Sequence, residues 1–108
     1  MDSLDAIFSA LADPTRRAIL ARLASGEASV AELAEPFDMS PRAVSLHVAV
    51  LERAGLVSRT KDAQRRPSRL ELAPLMEVDR WLGDYRRLWE TRFDRMEKAL
   101  DTIQRKPS

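Results

Sequence analysis

Two short stretches hold the side chains with chemistry to offer. In Ser40-Pro-Arg-Ala-Val-Ser-Leu-His47, the residues Ser40, Pro41, Arg42, Ser45, Leu46 and His47 fall within about two helical turns. Arg42 is suited to paired hydrogen bonds with a guanine edge, Ser45 to a single bond with any base, and Leu46 to a thymine methyl group. Ser40, with Pro41 behind it, would open the helix and aim backbone N–H groups at a phosphate. Downstream, Lys61, Arg65 and Arg66 crowd a polar loop where they would meet phosphates or reach a minor groove. The chemistry implied is recognition of double-stranded DNA, with no bond made or broken.

Other chemistry finds little material. His47 is the single histidine and the serines are scattered, so no nucleophile and base pair can be picked out. Three glycines leave little for a phosphate-cradling loop, and no carboxylate dyad is recognisable. With no cysteine, neither a disulfide nor a thiolate metal site is available. Asp79, Asp84 and Asp94 have no histidine near them to complete a transition-metal site. The expectation is a protein that is not an enzyme and carries no metal or cofactor. His47 stays open between two roles: a DNA contact, or packing at the edge of the buried helix face beside Val44 and Val48.

The elements that position these groups are legible from caps and periodicity. Leu4, Ile7, Phe8 and Leu11 share one helical face, and Asp13-Pro14 supplies an N-cap and first-turn proline for a second helix ending near Gly26. Ser29-Val-Ala-Glu32 is a capping box for a short helix from Val30 to about Glu35. Phe37-Asp-Met39 then makes a turn in which Asp38 is expected to take a strained or left-handed conformation. A fourth helix runs from the Ser40 cap to Gly55, burying Val44, Val48, Leu51 and Ala54. Leu56–Lys61 and Arg69–Leu72 alternate as the strands of a hairpin with a basic tip. A helix-turn-helix followed by such a hairpin is a winged helix-turn-helix, mainly α with a small β-hairpin. The last helix, from Leu75 to about Gln104 and roughly 45 Å long, completes the order of four helices, two strands and one helix.

Charge and length set the remaining bounds. The 108 residues allow one domain, expected over 1–104 with a dimerisation helix at 75–104 and a disordered tail at 105–108. The net charge of +1 is unevenly spread. Residues 55–73 set five cations, Arg59, Lys61, Arg65, Arg66 and Arg69, against two acids, a local +3, whereas residues 29–54 total −2. A basic edge on a near-neutral domain suits a polyanion. Arg16, Arg17 and Arg69 fit either added backbone contacts or solvated charges. No apolar run reaches membrane-spanning length, and Met1-Asp-Ser-Leu-Asp5 is too acidic and short to begin a secretory signal, so a cytoplasmic location is expected.

The last helix also has too much apolar surface for so small a core. Tyr85, Trp89, Phe93, Met96 and Leu100 recur at spacings of three and four, and with Leu4, Ile7, Phe8 and Leu11 of the first helix they are expected to form a two-fold homodimer interface. Trp81, Tyr85 and Trp89 fit that interface; lining a pocket for an apolar effector is the other reading.

Three co-linear segments carry a family resemblance: Ala10-Leu-Ala-Asp-Pro-Thr-Arg-Arg-Ala-Ile-Leu20, Ser29-Val-Ala-Glu-Leu-Ala34, and Ala43-Val-Ser-Leu-His-Val-Ala-Val-Leu-Glu-Arg-Ala-Gly-Leu-Val57. Together they resemble the ArsR/SmtB family of bacterial winged-helix repressors, over nearly the whole chain. The resemblance is strongest to a cysteine-free branch that includes autorepressors and regulators encoded beside START-like lipid-binding-fold proteins. It implies a homodimeric repressor on a palindromic operator, often near its own gene. Metal-sensing members carry cysteines in the helix that here reads Val30–Ala34, or Asp, His and Glu ligands in the last helix; neither set exists here. Many members also have lysine where this chain has Leu46. A winged-helix protein-interaction module without specific DNA binding is the alternative function from another class.

Overall fold

The computed structural model describes residues 3–60 and 66–104. Lys61, Arg65 and the expected tail at 105–108 lie outside the described residues. The element order is α1 (Ser3–Leu11), α2 (Pro14–Leu23), α3 (Val30–Ala34), α4 (Pro41–Arg53), β1 (Val57–Arg59), β2 (Ser68–Leu70) and α5 (Ala73–Gln104), a winged helix-turn-helix. The chain divides between Glu77 and Val78 into two units.

In the first unit, local chemistry sets each helix boundary. Asp13 is extended and its carboxylate accepts from the N–H groups of Thr15 (2.8 Å) and Arg16 (3.1 Å), so α2 starts with two orphan donors satisfied. Ser29 and Glu32 complete the capping box of α3 as its sequence requires. Ser40 Oγ accepts from Ala43 N–H at 3.1 Å and Pro41 occupies the first turn of α4. At the other end of α4, Gly55 N–H donates to the Glu52 carbonyl and Leu56 N–H to the Leu51 carbonyl, the paired bonds of a Schellman ending. Gly55 has φ +79°, a conformation that a side chain would strain.

The α3–α4 turn is built differently from the expectation. Among the described residues Arg66 alone, apart from glycines, has a positive φ, so Asp38 is not left-handed. Residues 35–38 continue in right-handed turns, with Glu35 at φ −52° and Phe37 N–H bonded to the Ala34 carbonyl, so no left-handed residue is needed to redirect the chain.

The core of this unit is one contiguous apolar set: Ile7 from α1, Ile19 and Leu23 from α2, Leu33 from α3, Val44, Val48 and Leu51 from α4, and Leu56 and Val57 at the start of the hairpin. Each such side chain contributes about 1.5–3 kcal/mol on burial. The apolar face of α4 is thereby fixed against α1, α2 and α3, which turns residues 42, 45, 46 and 49 outward.

The hairpin is antiparallel, pairing Val57 with Leu70, Ser58 with Arg69 and Arg59 with Ser68. Its strands are shorter than the alternation predicts, and a third segment joins them. Ala28 bridges Ser68 by two bonds, 2.8 and 3.1 Å, tying the linker before α3 to the wing. This bridge pairs the Ser68 backbone on the outer edge of β2. Ser3 Oγ donates to Glu77 at 3.2 Å, joining α1 to the first turn of α5.

The second unit is the remainder of α5, which begins two residues earlier than the periodicity indicates and measures about 48 Å in all. No residue of α5 is buried. Among the described residues, no helix is long and apolar enough to cross a membrane.

Candidate nucleic-acid interface

The outer face of α4 is defined by what the core takes from it. Val44, Val48 and Leu51 are wholly buried, leaving Ser40, Pro41 and Arg42 exposed, Leu46 at 66% exposure, and Ser45 half-buried. Arg42 has no hydrogen-bond or ion-pair partner among the described residues. An unpaired guanidinium one turn from a capped helix start adds its charge to the positive end of the helix dipole. An exposed leucine three residues later than Ala43 gives the same face an apolar contact point. The face therefore offers a fork of donors, a hydroxyl and a methyl-bearing side chain, with no internal bond to break before they engage.

His47 points differently. It is half-buried, and its Nδ1 lies 3.3 Å from Arg16 Nη1. Arg16 also donates from Nε to the Ala10 carbonyl (2.7 Å) and from Nη2 to the Ser9 carbonyl (3.1 Å). Its neighbour Arg17 donates to the Leu11 carbonyl at 2.7 Å. The two arginines thus donate to three of the last carbonyls of α1, Arg16 half-buried and Arg17 still exposed. The Asp13 carboxyl is held below its ordinary value, first by the Arg16 N–H, then by the Thr15 N–H and the nearby Arg16 charge, with burial opposing.

On the wing, Arg66 is exposed, while Arg69 is exposed and pairs loosely with Glu71 at 3.8 Å. Arg59 folds back toward α4, its side chain only 14% exposed, with Nη2 3.5 Å from the Ser45 carbonyl and Nε 3.7 Å from Glu52. Among the described residues, no group of three or more His, Asp or Glu is placed to hold a metal ion.

Residues 11–60 match a family model described as a helix-turn-helix domain. The chain is 46% identical over 69 residues to the HTH-type transcriptional regulator Rv2034 of Mycobacterium tuberculosis; the match covers 64% of this chain and 64% of that relative, just under two thirds of its length. It is 30% identical over 79 residues to the transcriptional repressor SdpR of Bacillus subtilis, covering 73% of this chain and 88% of the relative. The crystal structure of an ArsR family transcriptional regulator aligns with a TM-score of 0.77 at 44% identity, covering 82% of this chain and 98% of that one. The chain belongs to the ArsR family. A further member-like structure, the homodimeric winged helix-turn-helix DNA-binding domain of Mb0332 from Mycobacterium bovis, aligns at TM-score 0.63 and 28% identity, over 77% of this chain and 80% of that one.

In this ArsR-family chain the two sets of residues expected at a dimer interface sit in different surroundings. Ile7 has no exposed surface and belongs to the chain's own core, while Leu4 and Leu11 are half-buried and Phe8 is 37% exposed. Tyr85, Trp89, Phe93, Met96 and Leu100 are about half exposed along α5, with Trp89 and Phe93 stacked at a ring separation of 5.7 Å and Trp81 and Tyr85 tilted against each other at 4.8 Å. Sequence reasoning missed the capping roles of Arg16 and Arg17. A signal was present: cations that begin one helix directly after another ends are well placed for the first helix's orphan carbonyls. The inward turn of Arg59 had no comparable signal.

Proposed function

We propose that this protein is a homodimeric, sequence-specific DNA-binding regulator that represses its own or an adjacent operon and does not sense metal. The observation that carries the reading is the outer face of α4, where Arg42, Ser45 and Leu46 stand free of the core while Val44, Val48 and Leu51 lock the helix from behind. In the major groove Arg42 pairs with a guanine edge, Ser45 bonds a neighbouring base, and Leu46 meets a thymine methyl. Ser40 and Pro41 present the helix start to a phosphate. Lys61, Arg65 and Arg66 of the wing engage the backbone or minor groove beside it.

The apolar stripe of α5 supports self-association. Five large side chains about half exposed on one helix exceed what a soluble monomer ordinarily leaves open, and the structurally similar Mb0332 domain is homodimeric. A two-fold dimer presents two reading helices, so the site is a palindrome. Repression is supported by the likeness to a transcriptional repressor over most of that relative's length. The absence of cysteine removes the thiolate ligands on which metal sensing commonly rests. Action on DNA places the protein in the cytoplasm and assigns it no catalytic step.

The test is binding of the purified protein to duplex DNA from immediately upstream of its own coding sequence, beside a scrambled duplex of equal length, across a salt series. Preference for the upstream duplex with a steep loss of affinity as salt rises supports phosphate-anchored specific recognition. Equal binding to both limits the protein to a nonspecific basic wing or an operator elsewhere. No binding even at low salt overturns the reading in favour of a winged-helix protein-interaction module.

A further inference from the structure

We infer that His47 is a positioning residue of the reading helix, holding α4 to the α1–α2 corner through Arg16, and is not one of its DNA contacts. The inference rests on the DNA-binding reading of α4 and goes on to name what sets the helix's angle.

An arginine side chain has donors only, so the 3.3 Å contact between Arg16 Nη1 and His47 Nδ1 requires Nδ1 to be the acceptor. That places the ring proton on Nε2 and turns the acceptor nitrogen inward, away from any groove. Arg16 is itself held at two further points, the carbonyls of Ser9 and Ala10 at the end of α1, and its backbone N–H is bonded to Asp13. One residue, through its guanidinium and its backbone N–H, therefore joins the end of α1, the start of α2 and the middle of α4. His47 sits one residue before Val48, which is wholly buried, so the bond is made at the border between the core face and the reading face. The apolar contacts of Val44, Val48 and Leu51 fix which face of α4 points outward but, being non-directional, set the last few degrees of rotation about its axis less sharply. A directional bond at the edge fixes that rotation, and rotation decides whether Arg42, Ser45 and Leu46 meet base edges together.

His47→Asn and His47→Gln separate the two ring nitrogens: the amide of Asn reaches the place of Nδ1, and that of Gln the place of Nε2. The first measurement is made without DNA. As the chain has one histidine, its ring ¹⁵N signals at about pH 8, above the usual histidine range, are unambiguous. A protonated Nε2 and an acceptor Nδ1 that shifts in Arg16→Met are expected, and an Nδ1–H tautomer overturns the inference. The second is the affinity ratio of operator to scrambled duplex for both variants, with thermal unfolding confirming that each is folded. His47→Asn is expected to keep the ratio, while His47→Gln lowers it about tenfold, the scale of one charge-assisted bond, with little change in nonspecific binding. The reverse order, or an equal response of the two variants, overturns it. If the wild-type protein itself prefers neither duplex, the DNA-binding reading fails, and the ring-nitrogen measurement still decides the Arg16 contact.

Discussion

Arg42 and Asp13 are both polar residues beside a helix start, yet they face opposite fates. Arg42 is exposed and without a partner among the described residues, so its removal leaves the fold intact and acts on the bound state alone. Arg42→Ala is expected to cost about 1–3 kcal/mol of discrimination at one base-pair position, read by competition between the operator and single-position variants, with unchanged thermal stability. Asp13 has its carboxylate engaged by two N–H groups and sits below its ordinary value of 3.8. A carboxyl that ionises more readily folded than unfolded contributes stability that is complete above the ordinary value and lost as pH falls through the lower folded one. The unfolding midpoint of the wild type is therefore expected to fall more steeply in acid below about pH 4 than that of Asp13→Asn, with the two curves converging at the acid end. Parallel curves would mean that Asp13 adds nothing through its charge.

At the scale of elements, the ending of α4 sets where the wing begins. Gly55 takes a left-handed conformation, and a Cβ built there meets only Pro74 Cγ at an ordinary 3.5 Å. The cost of Gly55→Ala is therefore conformational and not steric, about 1–2 kcal/mol, visible as a lower denaturant midpoint with an unchanged slope. A change in slope would show instead that the hairpin had detached. The wing is held by more than its own pairing, since Ala28 bonds Ser68 in both directions. That third segment ties the loop end of the strand pairing to the linker before α3, a hold on the wing besides its junction with α4.

The whole molecule is a well-packed first unit followed by a helix with no buried residue. An exposed row from Tyr85 to Leu100 is stable in water when a second copy covers it, and buried apolar area dominates such an interface. Phe93→Glu with Leu100→Glu is expected to shift sedimentation toward monomer and to weaken operator binding, because one reading helix then binds without its two-fold mate. If both mass and binding stay unchanged, the distal half of α5 is not the interface. Removing Phe8 alone should have a smaller effect on mass, as it retains only 37% exposure.

What the sequence determined by itself is the set of helix boundaries and the buried face of α4, each fixed within a turn or two of chain. Asp13, Ser29, Ser40 and Gly55 start or stop helices because their side chains or missing side chains meet the adjacent backbone. The spacing of Val44, Val48 and Leu51 fixed which face of α4 is outward, and so exposed Arg42 and Leu46. What only the tertiary structure decided is where long side chains end. Arg59 looks like Arg42 and Arg66 in sequence, yet it turns back toward Ser45, whereas the place of Arg16 and Arg17 just after α1 was a local signal for closing its end. The same holds for His47, left between packing and DNA contact by its spacing and drawn to Arg16 by a residue 31 positions earlier in the chain. Asp38 shows the converse, a turn whose path came from continued right-handed geometry that a single residue type did not reveal. A cap is read locally because its partners lie within three residues; the partners of Arg59 and His47 are chosen by whichever carbonyl or side chain the packed helices bring within reach, and no local pattern encodes that.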